Sequence, residues 1–193
     1  MHGQMYLKGM KEGIPVALGY FFVSITIGIA ARLADLTPMQ AAVMSLTNLT
    51  SAGQFASFTL IASGASFVEM AISQAVINLR YCLMSCALSQ KIDHELPMGH
   101  RLCMAFSITD EIFGLCISQK GKLEPWYMYG VMSVAIPGWV AGTVLGILST
   151  GVLPQPLLNA MSMALYGMFI AVFVPAARDN RILVPIIGIA MAA

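Results

Sequence analysis

The spacing of its apolar runs constrains this chain more than any other feature. Runs of membrane-crossing character recur at about 13–34, 39–62, 66–90, 102–118, 126–150 and 157–177. The connections between them are short and punctuated by Pro38, Gly64, Pro97, Gly121, Pro125, Pro154 and Pro156. A helix rises ~1.5 Å per residue, so roughly 20 apolar residues cross the hydrocarbon core. The expectation is an all-α, polytopic transmembrane helical bundle with six full spans. Charged residues are only 10% of the chain against 58% hydrophobic, where a soluble domain carries about 25% charged. There is too little polar surface to face water all round.

The final run, "ILVPIIGIAMAA" from Ile182, gives only ~18 Å of helix. The chain is therefore read as one transmembrane domain, 1–193, truncated at the C-terminus inside a partial seventh span. The first run follows Lys8 and Lys11 and is too long for a signal h-region, so it is read as a retained span. Six spans would place Lys8, Lys11, Lys120, Lys122, Arg178 and Arg181 on one side and Arg32, Lys91 and Arg101 on the other. Basic residues favour the cytoplasmic side, so the N-terminus is expected there.

Two blocks of three runs, 13–90 and 102–177, are nearly equal in length. Three is odd, so the second block would lie inverted relative to the first, as in inverted-repeat transporters. Interrupted helices are expected at Gly53 within "TSAGQF" and at Pro137-Gly138 within "SVAIPGW". Gly138, Gly142 and Gly146 recur every fourth residue and predict a close-packing helix face. Met161, Met163, Met168 and Phe173, around Tyr166 and Gly167, read as apolar core.

Polar groups at membrane depth carry the functional argument. "SITDEIFGL" sets Asp110 and Glu111 in an otherwise uncharged run. Read as one helix, Ser107, Asp110, Glu111, Gly114 and Ser118 share a face. Lipid against that face would cost roughly 2.5–3.5 kcal/mol per charge, so it must meet protein or water. The acids are structural or form a substrate or proton site. Arg80 is the basic residue at depth in the preceding run. Measured from the 90–102 connection it lies ~15 Å deep, against ~12 Å for Asp110. A pair with one acid would leave the other available. Gln74, Asn78, Tyr81 and Ser85 form a second stripe on that helix. Ser45, Thr47, Asn48, Thr50, Ser51, Gly53 and Gln54 crowd the second run, as the lining of a cavity or as a close-packed interface.

Other classes are disfavoured. A net charge of +1 gives no basic field for nucleic acid. Cys82, Cys86, Cys103 and Cys116 lie within apolar runs while His2, His94 and His100 lie outside them. They read as small core thiols, with no disulfide, metal site or cofactor. No nucleophile elbow, phosphate loop or His-Glu-x-x-His is present, so an enzyme is not expected.

In order along the chain stand "GIPVALGYFFVSITIGIAARLADLTPMQAAVMSLTNLTSAGQF", "INLRYCLMSCAL" and "FSITDEIFGL". Together they resemble AzlC-type branched-chain amino acid exporters, the large subunit of a two-component exporter. The most specific pieces are Ala-Gly-Gln-Phe at 52–55, Asn-Leu-Arg-Tyr at 78–81 and Thr-Asp-Glu at 109–111. The resemblance implies export of leucine, isoleucine, valine and similar amino acids across the cytoplasmic membrane, with a small hydrophobic AzlD-type subunit as partner. Asn78 and Tyr81 depart from the Asp and His that many such chains carry there, which points to Asp110 and Glu111 as the coupling acids. The expected substrate-binding or ion-coupling set is Asp110, Glu111, Arg80, Asn78, Gln54, Gly53, Ser51, Asn48, Ser107 and Tyr81. The alternative is a membrane scaffold subunit whose buried charges only fix helix register.

Overall fold

A computed structural model describes residues 2–150 together with Pro156. Apart from Pro156, these lie in one compact unit, Met1–Val152. Among residues 2–150 seven helices follow in order: α1 His2–Leu33, α2 Pro38–Thr47, α3 Ser51–Ala62, α4 Phe67–Ser89, α5 Met98–Phe106, α6 Asp110–Ser118 and α7 Pro125–Ser149. Among the described residues only α1, α4 and α7 are long and apolar enough to cross a membrane. The expected sixth span and partial seventh lie outside the described residues.

The frame is a parallel pair, α1 against α7. Gly9 meets Tyr127, Gly130 meets Tyr6, Gly142 meets Phe21 and Gly146 meets Ile25. A methyl group at any of the four would run into a backbone atom of the facing helix. This bears out the close-packing face, and Gly138, 2.7 Å from the Ala17 carbonyl when given a Cβ, extends it. Both helices therefore start at one end of the unit, here called the near end.

The run 39–62 does not cross the unit. Gln54 Nε2 donates to Ser45 Oγ at 2.6 Å, nine positions back. On a continuous helix those residues would stand ~13 Å apart. The chain has reversed between α2 and α3. α2 descends from the far end, where Thr37 and Gln40 form its capping box and Pro38 opens it. α3 then returns to the far end and joins α4 by a short turn. α4 runs from far to near, where the Lys91 carbonyl accepts from the Leu123 backbone N–H.

The run 98–118 is a second hairpin, opening from the opposite end. Its start and its finish both lie near: His100 Nδ1 and Tyr129 Oη are 2.7 Å apart, and Gln119 Nε2 donates to Glu12. Lys91 Nζ donates to the carbonyls of Ile117 and Gln119. Half-helices of 10 and 12 residues in one hairpin, and of 9 and 9 in the other, are too short for a core about 30 Å thick. The runs expected as the second and fourth spans are each a hairpin of two short helices instead. Lys91 and Arg101, expected opposite Lys8, lie at its end.

The breaks also move. Gly53 sits inside α3, and the interruption is at Asn48–Thr50, where Asn48 Oδ1 accepts from Thr50 N and Thr50 Oγ1. That local turn competes with helix continuation. α7 runs unbroken through Pro137. The break in the later half falls at Ser107–Thr109 instead, because Thr109 caps α6 by accepting from Ile112 N. Each hairpin with its following helix, 38–89 and 98–149, is equal in length and opposite in direction. The outer face of α4 leaves Phe67, Val68, Ile72, Val76, Leu79 and Leu83 exposed, as a lipid-facing surface would.

Candidate functional site

Each hairpin ends its descent in an extended stretch followed by a new helix start. A helix N-terminus carries partial positive charge and unpaired N–H groups. Asp110 and Glu111 occupy the first turn of α6, so the two carboxylates sit where a half-helix compensates them. That is the physical reason two adjacent acids are tolerated at this depth.

Asp110 completes the expected ion pair: Arg80 Nη1 stands 2.8 Å from its Oδ2, with the side chains 30% and 22% exposed. Arg80 Nη2 also donates to Tyr81 Oη at 3.3 Å, and the guanidinium lies 5.1 Å from the Tyr81 ring centre. Glu111 has a different partner, one that sequence reasoning missed. Tyr20 Oη, buried on α1, donates to Glu111 Oε2 at 2.7 Å and also meets Thr109 Oγ1. A phenol has one proton; with it given to Glu111, the Thr109 hydroxyl donates to Tyr20. The relay then runs Ile112 N–H, Thr109, Tyr20, Glu111. The two acids have divided roles, one on a base and one on a hydroxyl chain.

The far hairpin is tied into the same region. Trp139 Nε1 donates to Gln54 Oε1 at 2.9 Å, and Ser45 Oγ donates to Thr143 Oγ1 at 2.8 Å. The Trp139 ring packs edge-on against Tyr20, with centres 5.4 Å apart. Tyr20 and Trp139 thereby link the tips of the two hairpins across the α1–α7 frame. An isolated tyrosine or tryptophan in an apolar run gives little signal of such a role.

The other expected site residues are engaged locally. Gln54 is fully buried, with Nε2 donating to Ser45 and Oε1 accepting from Trp139, so it ties the first hairpin to α7. Gly53 supplies its carbonyl to Gln74 Nε2 at 2.8 Å and leaves no broken backbone. Asn48 closes its own turn. Ser107 is buried outside α6 and donates to the Met104 carbonyl, while Gly114 and Ser118 are exposed. The single stripe expected through 107–118 therefore does not form. Ser51 opens α3, half-buried at the tip. Asn78 donates to Gln74 Oε1 at 3.2 Å, and its own Oδ1 is buried with no partner among the described residues.

A polar cluster at the near end was also missed. Tyr127 Oη donates to Glu12 Oε2 at 2.6 Å, and Lys8 Nζ donates to Gln119 Oε1 at 2.8 Å. They border a cleft of about 360 Å³ that Lys120 and Glu124 also line.

A family model described as AzlC protein matches residues 15–153. An uncharacterized membrane protein of Archaeoglobus fulgidus is 26% identical over 190 residues, covering 97% of this chain and 83% of that protein. The inner membrane protein YgaZ of Escherichia coli is 27% identical over 149 residues, 75% of this chain and 60% of YgaZ. An uncharacterized membrane protein of Helicobacter pylori (strain J99) is 27% identical over 151 residues, 74% of this chain and 65% of the relative. No solved structure matches.

Proposed function

The chain belongs to the AzlC family, and from that premise we propose that it is a secondary transporter exporting branched-chain and similar apolar amino acids. It works in the bacterial cytoplasmic membrane with a small hydrophobic AzlD-type subunit, as transport rather than catalysis. The observation that carries this reading is the Arg80–Asp110 pair beside Glu111, held where two opposed hairpins end. An amino acid is itself a base and an acid. Its carboxylate takes Arg80 and its ammonium takes Asp110, so the zwitterion exchanges with an existing ion pair. Glu111, engaged by hydroxyls and not by a base, is left to carry the coupling proton.

Orientation has support from the corrected topology. Lys8, Lys11, Lys91, Arg101, Lys120 and Lys122 gather at the near end and Arg32 lies far, which favours a cytoplasmic N-terminus. The exposed apolar face of α4 offers surface for lipid and for the small subunit.

The test is uptake of labelled leucine into inverted membrane vesicles, with and without an imposed proton gradient, the chain expressed alone and with the small subunit. Gradient-driven uptake lost in Glu111→Gln supports the reading. No uptake of any apolar amino acid in either preparation overturns it in favour of a scaffold subunit.

A further inference from the structure

A cavity of about 170 Å³ lies between α4 and α5, lined by Ser85, Leu88, Ile92, Met104, Ala105 and Ile108. Leu88, Met104 and Ile108 are buried hydrophobic residues. Arg101 stands at its rim, but its guanidinium is bonded to the carbonyls of Asp93, His94 and Leu96. The lining is otherwise apolar apart from the hydroxyls of Ser85 and Ser89, the latter donating to the Cys86 carbonyl. An engineered apolar cavity of about 150 Å³ holds benzene, so this one takes a hydrocarbon group of about that size.

Its position links it to the charged pair. Ile108 lies in the break between α5 and α6, two residues before Asp110, so their Cα atoms are at most ~7 Å apart. On α4, Asn78 and Ser85 are seven residues apart and share one face. Two buried polar atoms of α4 have no partner among the described residues: the acceptor Asn78 Oδ1, on the face of Ser85, and the donor Arg80 Nε, on the side that meets Asp110. Gln74 fixes which way the Asn78 amide points, because Gln74 Oε1 takes its N–H while Gln74 Nε2 is spent on Gly53 and Ser57. An ammonium suits the free acceptor and a carboxylate the free donor. Asn78 and Ser85 are ~10 Å apart along the axis. A leucine, about 5 Å from nitrogen to methyl, with a hydrogen bond of about 3 Å, covers most of that gap.

We infer that the α4–α5 cavity is the side-chain subsite, with Leu88, Met104 and Ile108 setting the size of the amino acid accepted. The inference rests on the amino acid transport reading and names residues within it. A charged end held at Arg80 and Asp110, with the free Asn78 acceptor beside them on α4, directs the hydrocarbon end past Ile108 into the cavity.

The experiment compares alanine, leucine and phenylalanine uptake in the same vesicles, for the full chain with its small subunit. Met104→Phe fills the cavity and lowers leucine relative to alanine about ten-fold, the scale of one or two methylenes in a pocket. Leu88→Ala enlarges it and raises phenylalanine relative to leucine several-fold. Because each ratio is internal, a loss of folded protein scales its two substrates together and leaves it unchanged. Unchanged ratios in both variants, with leucine transport intact in the unaltered chain, overturn the subsite alone. An unaltered chain that moves none of the three overturns the transport reading and the subsite with it.

Discussion

Tyr20 on α1 donates its hydroxyl proton to Glu111 on α6 at 2.7 Å, across 91 positions of sequence. The bond joins the frame helix to the first turn of a hairpin half-helix, and it makes Tyr20 the residue on which the second acid depends. Hydrogen bonds to a charged group contribute about 1.5–3 kcal/mol. Tyr20→Phe is expected to reduce proton-driven leucine uptake about ten- to hundred-fold while the protein still reaches the membrane. Transport at the unaltered rate would remove Tyr20 from the coupling machinery.

Arg80→Leu alone strands the Asp110 carboxylate. Breaking a buried pair costs about 3–5 kcal/mol, and the partial exposure of this one places it nearer 2 kcal/mol. Arg80→Leu with Asp110→Leu restores thermal stability in detergent, yet transport stays lost. Recovery of transport in the double variant would mark the pair as structural only.

Topology is open to direct labelling. In a chain stripped of its native cysteines, single cysteines at His94 and Lys120 are expected to react with an impermeant reagent from the same side of the membrane. A span at 102–118 would put them on opposite sides. Cysteines at Asp35 and Ser63 are expected to share the other side.

The α1–α7 seam predicts a sharp contrast between two glycines. Gly142→Leu drives a side chain into the Phe21 backbone and is expected to abolish folded yield. Gly19→Ala, with nothing within 4 Å of its added methyl, is expected to change yield and melting temperature little. Equal outcomes would show that the seam does not set the fold.

At the near end, the Lys122 ammonium 3.0 Å from Asp93 holds that carboxyl below its ordinary range through a direct hydrogen bond and its charge. A depressed folded value stabilises the loop above the unfolded value of about 3.9 and stops doing so as pH falls through the depressed one. Limited proteolysis of the 90–97 connection is expected to accelerate below that value in the unaltered chain. In Lys122→Ala the acceleration begins at a higher pH, nearer the ordinary carboxylate range.

The Arg80–Asp110 pair was legible in sequence because both depths are counted from one connection. That arithmetic survives whether 98–118 crosses the membrane or turns back. The hairpins were not legible from run length, since an apolar stretch of about 24 residues serves one crossing or two half-helices equally well. The local signal lay elsewhere: Thr109 followed by Asp110 and Glu111 reads as a cap with an acidic first turn, a helix start inside an apolar run. Thr50-Ser51 marks the corresponding start in the first hairpin. The partners of Gln54 were not legible, because composition shows that an amide is present and not that Ser45 and Trp139 bond to it. Tyr20 was missed because its partner comes 91 positions later.

The order of the elements along the chain has a consequence for how the protein is made. Synthesis proceeds from the N-terminus, so α1 and α4 leave the ribosome before α6. Tyr20 and Arg80 are therefore already available when Asp110 and Glu111 emerge. Neither carboxylate has to cross lipid without its partner. The far hairpin follows the opposite schedule: Gln54 must wait for Trp139, 85 positions later, so among the described helices α7 is the one that secures it.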